Sequence, residues 1–305
     1  MESNFFTIAG HHVVINFCES EVNNMGLLPS FAPFRSERPA EEPLLFSLTV
    51  DDNLQPVKER TLIRRFDTGN GNTVVYLLSD GGYQFIVKDI YGQECSLLIC
   101  HNHFTECYCA LNGNWTMRSF GLNDALMLIY AFAGAFHDTL LIHASCIGYK
   151  GKGYPFIAQS GTGKSTHSSL WMKHIEDCEL MNDDNPIVRI INGKPFIYGS
   201  PWSGKTPCYR NIKAELGAVV QIARAPRNHI ERLPVVQAFA TLLPACSSMK
   251  WDETLHDRLC NILSAIIATT PIYIMNCLPD EEAARVCHQA VACPQKEPTE
   301  SPVAL

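Results

Sequence analysis

The sequence predicts an α+β fold in two parts. An antiparallel, β-rich domain over residues 1–120 is followed by a mixed-sheet α/β domain over 121–293, with a mobile tail over 294–305. Three observations predict it. Residues 1–115 alternate apolar and polar positions between turn signals, the period of strands with one buried face. From residue 138 onward, apolar runs of strand length alternate with helical patterns. Between one such run and the next helix lies Ala158-Gln159-Ser160-Gly161-Thr162-Gly163-Lys164-Ser165, a near match to the phosphate-loop pattern G-x-x-x-x-G-K-[ST].

Taken in order, Val13-Val14-Ile15-Asn16-Phe17, Leu44-Leu45-Phe46-Ser47-Leu48-Thr49-Val50 and Thr73-Val74-Val75-Tyr76-Leu77 read as strands. Tyr83-Gln84-Phe85-Ile86-Val87 and Cys95-Ser96-Leu97-Leu98-Ile99 continue them, with Asp80-Gly81-Gly82 as a hairpin turn. Residues 28–43, rich in proline and mixed charge, are expected to form an exposed loop. Residues 122–136 are apolar enough for a buried helix linking the two parts. Residues 140–147 read as a strand and 148–153 as a turn, followed by the short buried strand Tyr154-Pro155-Phe156-Ile157-Ala158. A breaker-free run over 165–175 is the helix after the loop. Asn192-Gly193 marks a hairpin between strands at 187–191 and 195–198, and another strand is expected at 218–222. Helices at 234–243 and 254–268, a strand at 272–275 and a helix at 280–291 complete the pattern.

Composition narrows the function classes. The 305 residues are 46% apolar and 18% charged, as in a globular protein with sizeable cores. The net charge of −7, with no dense Lys/Arg run, argues against a nucleic-acid partner. The longest apolar run, 126–136, is too short to span a bilayer, so no membrane partner is expected. Met1-Glu2-Ser3-Asn4-Phe5 has no basic stretch leading into an apolar one, and a cytoplasmic location is expected. On that basis the 13 cysteines read as reduced, buried thiols. Cys100, His101, His103, Cys107 and Cys109 crowd together without paired C-x-x-C spacing. They read as incidental groups on a half-buried hairpin, with a metal site as the alternative.

Two stretches compete as the phosphate cradle. Gly199-Ser200-Pro201-Trp202-Ser203-Gly204-Lys205-Thr206 satisfies the pattern in full, whereas the loop at 158–165 opens on Ala158 instead of glycine. A cradle needs free backbone N–H groups and a helix N-terminus aimed at the anion. In the second stretch Pro201 removes an N–H, Trp202 crowds the loop and Pro207 follows directly. In the first, Gly161 and Gly163 supply positive φ, and Lys164, Ser165 and Thr166 open a helix. Ser160, Gly161, Thr162, Gly163, Lys164, Ser165 and Thr166 are therefore the expected nucleotide contacts. Further on, Leu180-Met181-Asn182-Asp183-Asp184-Asn185 sets two carboxylates at a strand end. Phosphoryl transfer needs charge neutralisation and a proton acceptor, and adjacent aspartates can divide those tasks. A polar Asx turn is the alternative reading. His143 precedes the loop on an apolar strand, where a satisfied core histidine is the alternative.

His143-Ala144-Ser145, Ser160-Gly161-Thr162-Gly163-Lys164-Ser165 and Asp183-Asp184 together resemble the C-terminal domain of HPr serine kinase/phosphorylase, over roughly residues 138–225. That family's fold is related to phosphoenolpyruvate carboxykinase. The resemblance implies His143 in the active site, Lys164 on the β- and γ-phosphates, Ser165 and Asp183 on Mg2+, and Asp184 as base. The family's Glu-x-Arg-Gly-x-Gly signature is not matched. Its nearest counterpart, Tyr209-Arg210-Asn211-Ile212-Lys213-Ala214-Glu215-Leu216-Gly217, offers Glu215 as the remaining candidate metal ligand. The loop with Lys205, and Arg210 beyond it, is expected to close over the nucleotide and bring positive charge to the transferring group, with an exposed basic turn as the alternative.

The expected function is an ATP- and Mg2+-dependent kinase acting on a serine-like hydroxyl of a protein, peptide or small molecule other than HPr. The alternatives are a carboxykinase-like decarboxylation and a nucleotide-binding regulator without turnover. A homo-oligomer is allowed by the sequence.

Overall fold

The computed structural model describes residues 1–38, 42–67 and 71–293, so the expected tail lies outside the described residues. The described residues form two sheets and five α-helices, with short 3-10 turns between them. The first sheet contains β1 (Glu2–Ile8), β2 (His11–Phe17), β3 (Leu44–Val50), β4 (Arg60–Asp67), β5 (Gly71–Leu78), β6 (Tyr83–Asp89), β7 (Glu94–His101) and β8 (Glu106–Leu111), in the order β1-β2-β3-β8-β7-β6-β5-β4. It is mixed rather than purely antiparallel, because β3 runs parallel to both β2 and β8. The long connections into and out of β3 allow that direction, which a tight hairpin forbids.

Residues 28–43 also differ from expectation. Pro29–Phe34 winds into a 3-10 helix that buries Phe31 and Phe34, and Leu28 before it is buried as well. Proline punctuates this segment, but the aromatic rings decide where it lies.

α1 (Trp115–Ala135) starts where the Asn114 side chain accepts a hydrogen bond from the Met117 N–H at 3.1 Å. Its apolar residues surround the helix because it packs on β3, β6, β7 and β8 and also meets β9 (Thr139–Leu141) and α4 (Glu253–Thr269). Gly121 is required at the crossing: a Cβ there would lie 2.8 Å from the Cys95 backbone. Leu122, Leu126, Ile129 and Tyr130 join residues of both sheets in one continuous core. Polar links cross the same boundary: Tyr130 donates to the Ile8 carbonyl at 2.9 Å, and Arg189 to the Ala9 carbonyl at 2.9 Å.

The second sheet is built around β11 (Lys152–Ile157). On one side lie β10 (Ala144–Tyr149) and then β12 (Cys178–Asp184), both antiparallel neighbours. On the other side β11 pairs in parallel with β15 (Lys213–Leu216) at its start and with β16 (Val219–Arg224) at its end. β14 (Lys194–Tyr198), β13 (Ile187–Ile191) and β9 extend from β15, while β18 (Ile272–Cys277) and β17 (His229–Arg232) extend from β16. The expected single strand at 140–147 is divided, and His143 sits in the break between β9 and β10 with its N–H bonded to the Ala245 carbonyl at 2.7 Å.

α2 (Lys164–His174) and α5 (Glu281–Val291) cover one face of this sheet, and α3 (Val235–Leu242) and α4 the other. Trp171 on α2 is fully buried against Tyr154 and Phe156 of β11 and His288 of α5. Trp171→Ala is expected to destabilise the fold by about 3–5 kcal/mol, the usual loss for a buried tryptophan. Urea denaturation measures it; a loss below about 1 kcal/mol would show that the helix is held elsewhere.

Candidate functional site

The site forms at the end of β11. Its last residues face those of β10 and, one strand further, those of β12: Ile157 opposes Ala144, which opposes Asp184, and Phe156 opposes Ser145, which opposes Asp183. Adjacent strands lie about 4.8 Å apart, so the acid pair ends about 10 Å across the sheet from the strand that delivers the loop. Directly paired residues share a face. Phe156 contacts Trp171 and His167 of α2, and the Ser145 hydroxyl lies 2.6 Å from that of Ser168 on the same helix. Asp183 thus belongs to the face that carries α2.

Between β11 and α2 the chain turns through Ser160, Gly161, Thr162 and Gly163. Gly161 and Gly163 have φ of 76° and 129°, the left-handed region that glycine enters without steric cost. Gly163 caps α2 and offers no side chain, so no side-chain acceptor takes up the N–H groups of the first turn. Those groups, with the positive end of the helix dipole, form an anion-binding geometry. Ser165 and Thr166 lie exposed on this first turn.

Lys164 reaches back from the helix start. Its ammonium donates to the Ala158 carbonyl at 3.3 Å and to His143 Nε2 at 2.8 Å. His143 Nδ1 lies 3.2 Å from Asp184 Oδ1, and Asn185 donates to Asp184 Oδ2 at 2.7 Å. With Nε2 accepting from the lysine ammonium, an Nδ1–H is directed at the aspartate. The break between β9 and β10 is what lets His143 join the loop lysine to the acid pair. Burial lowers the Lys164 pKa, and the negative charges of Asp184 and Asp183 oppose that shift.

The two aspartates differ sharply in exposure. Asp183 is 5% exposed, whereas the Asp184 side chain is 29% exposed. Both Asp183 carboxylate oxygens are buried and neither has a hydrogen-bond partner among the described residues. A carboxylate buried in this way is costly unless a cation satisfies it. Oxygen donors of this kind suit a hard divalent ion such as Mg2+, which takes one or two protein carboxylates and completes its shell with water and phosphate oxygens. Among the described residues no three His, Cys, Asp or Glu side chains gather into a protein-only metal cage, an arrangement that Mg2+ does not need.

The loop at 199–206, the better match to the written pattern, has a different structure. No helix follows Thr206, and Trp202 is buried between Phe31 and Tyr130 with its indole N–H on the Asn123 carbonyl at 3.3 Å. The loop nevertheless borders the site, since a Cβ on Gly204 would lie 2.8 Å from the Asp183 carbonyl oxygen. Lys205 is exposed and makes no hydrogen bond or ion pair among the described residues.

Two expectations are corrected. Arg210 is committed elsewhere: it donates to the Leu180 carbonyl at 2.7 Å and pairs with Glu179 at 2.6 Å, toward the start of β12 rather than its acidic end. Glu215 opposes Lys152, at the opposite end of β11 from the loop, and so is no partner for Asp183. The cysteine and histidine cluster divides by residue type, with Cys100 and Cys107 paired across β7 and β8 and the two histidines engaged elsewhere. Cys100, Cys107 and Cys109 are buried thiols, His101 pairs with Asp80 at 2.7 Å, and His103 packs on Phe136.

Two residues were missed in the sequence. Arg224, at the end of β16, donates to the Thr162 carbonyl at 3.1 Å and the Gly161 carbonyl at 2.5 Å, tying the loop to the neighbouring strand. An arginine closing the strand parallel to β11 was the available signal. Asn182 looked like part of an Asx turn but is fully buried beneath the acids.

No family model and no curated protein matches this sequence. Among solved structures the chain is similar to the Hpr(Ser) kinase/phosphatase from Coxiella burnetii, with 10% identity and a TM-score of 0.29, over 49% of this chain and 95% of that one. Likeness at that level is too slight to assign an activity, and the site stands on its own residues. No helix among the described residues is long and apolar enough to cross a membrane.

Beneath the loop, His167 is buried against Phe156 and accepts from the Trp171 indole at 3.2 Å, and burial lowers its pKa to about 4. The unfolded chain's imidazole takes up a proton near pH 6.5, which the folded ring refuses until about pH 4. Stability is therefore lost as pH falls through that window, with this group contributing on the order of 2 kcal/mol by pH 5. His167→Gln keeps an acceptor for Trp171 and removes the titration. Urea denaturation at pH 7 and pH 5 is expected to show a smaller acid loss in the variant than in the wild type, and equal losses would count against the buried neutral ring.

Proposed function

We propose that the protein is an ATP- and Mg2+-dependent phosphotransferase that moves the γ-phosphoryl group to a hydroxyl of a protein, peptide or small molecule. The observation that carries this reading is the division between the two aspartates. The accessible Asp184 is linked through His143 to the loop lysine, while the enclosed Asp183 has no hydrogen-bond partner among the described residues.

In this reading the α2 N-terminus and the glycine turn bind the phosphates through backbone N–H groups. Lys164 leaves Ala158 and His143 for the β- and γ-phosphates, a short movement for a side chain already at the helix start. Asp183, with Ser165 on the first turn, would hold Mg2+, which supplies neutralisation of the charge that builds on the phosphoryl oxygens. Asp184 accepts the proton of the attacking hydroxyl as the new oxygen–phosphorus bond forms. The bond from the γ-phosphorus to the bridging oxygen breaks, and ADP departs with that electron pair. His143 and Asn185 hold Asp184 in position for this step. Exposure favours Asp184 over Asp183 as the base, because an acceptor must reach it. Lys205, exposed on the loop beside the acids, supplies positive charge once substrate is bound.

The test separates these roles. Lys164→Ala is expected to abolish binding of a fluorescent ATP analogue, while Lys205→Ala retains binding and slows transfer. Normal affinity in the Lys164 variant would place the cradle elsewhere. Asp184→Asn is expected to bind nucleotide normally and to lower transfer by about a hundredfold or more, the usual scale for a general base. Labelled ATP incubated with serine-containing peptides and with free serine, followed by a search for labelled product, reads that step. A nucleotide-binding regulator would bind the analogue and label nothing.

A further inference from the structure

Asn182 lies between the acid pair and the 199–208 loop, and its whole hydrogen-bonding capacity is divided between them. Its Oδ1 accepts the Asp184 and Asn185 backbone N–H groups, each at 2.9 Å, which shapes the turn that presents the acids. Its Nδ2 donates toward the Ser200 hydroxyl at 3.1 Å and the Trp202 carbonyl at 3.0 Å, with the Ser200 and Cys208 carbonyls at 3.4 Å. The loop's own Ser200 hydroxyl also donates to the Trp202 carbonyl at 3.0 Å, closing the network. On its far side the loop is fixed by Trp202 in the core that both sheets share. On its near side Gly204 presses on the Asp183 backbone, with no room for a methyl group.

We infer that Asn182 is a positioning residue and that the 199–208 loop is a fixed wall of the site, holding the Asp183–Asp184 turn in the geometry a divalent ion requires. This rests on the phosphotransferase reading. Groups that orient a metal-binding carboxylate typically change metal affinity by about 10–100-fold when removed. The 160–163 turn lies two strands away, beyond β11, while the hydrogen bonds of Asn182 itself go to the acid turn and the 199–208 loop.

Two variants test it, Asn182→Ala and Gly204→Ala. The second has an exposed site and a backbone φ outside the left-handed region, so its methyl acts through the contact with the Asp183 carbonyl. Mn2+ serves as the metal probe, read by electron paramagnetic resonance in the presence of ATP. Affinity for the fluorescent ATP analogue is measured separately in EDTA. Both variants are expected to weaken Mn2+ binding by about tenfold or more and to leave metal-free nucleotide affinity within about twofold. General structural damage would lower both. Should Asn182→Ala fail to fold, Gly204→Ala decides. Wild-type Mn2+ affinity in the folded variants, or parallel loss of both affinities, overturns the inference while leaving the phosphotransferase reading intact. A wild-type protein that binds neither probe overturns that reading and this inference with it.

Discussion

Two rows of cross-strand partners, Ile157–Ala144–Asp184 and Phe156–Ser145–Asp183, hold the candidate site together. Strand register is an all-or-none constraint: a slip of one residue sends every side chain to the opposite face. Here it depends on a bulge, since Cys146 opposes Asn182 while the next residue, Ile147, opposes Leu180. The residue passed over is Met181. The bulge accounts for three successive buried residues, Met181, Asn182 and Asp183, where a regular strand would expose every second one. Gly148 and Gly153 leave the space that Met181 occupies, for its side chain would lie 3.2–3.3 Å from a Cβ at either position. The placement of the acids is therefore settled by packing several residues before them.

Electrostatics make the arrangement unequal by design of burial. Asp183 is closed off from solvent with no donor among the described residues, whereas Asp184 keeps solvent exposure and two donors. Lys164 is the cation whose charge bears on both. A single ammonium that also donates to His143 and Ala158 leaves the Asp183 oxygens without a direct bond. The local balance of charge and hydrogen bonds thus favours the arrival of a further cation.

Much of the secondary structure was legible because its signals are local. Asn192-Gly193 does turn β13 into β14, with φ of 51° and 76°, and the run after Gly163 does form a helix. What was not legible depends on contacts distant in sequence. The parallel placement of β3 and the burial of Phe31 follow from partners that no window of sequence contains. The break at His143 follows from the Ala245 carbonyl, a hydrogen bond across most of the second sheet's sequence. Pattern matching failed in an instructive way at 199–206. The letters G-x-x-x-x-G-K-T specify a phosphate loop only when a helix begins at the lysine, and none begins here, where Pro207 disfavours the helical conformation at Thr206. Arg210 and Glu215 stand near the acids in sequence, but side-chain bonds to Leu180 and Glu179 hold the first at the far end of β12, and strand pairing sets the second opposite Lys152.

The first sheet, which contains no chemical motif of its own, has a physical connection to the second. Phe31 and Tyr130 enclose Trp202, and the Asn123 carbonyl accepts its indole N–H. From Trp202 the connection runs through its own carbonyl to Asn182, and from Asn182 to the backbone of Asp184. Each link is a buried contact with little freedom, because densely packed interiors transmit displacement rather than absorb it. A change in the packing around Phe31 would therefore reach the acid turn before it reached the 160–163 turn, which is fixed from the other side of β11 by Arg224. The two halves of the candidate site are thus anchored in different parts of the molecule, the acids through the shared core and the glycine turn through β16.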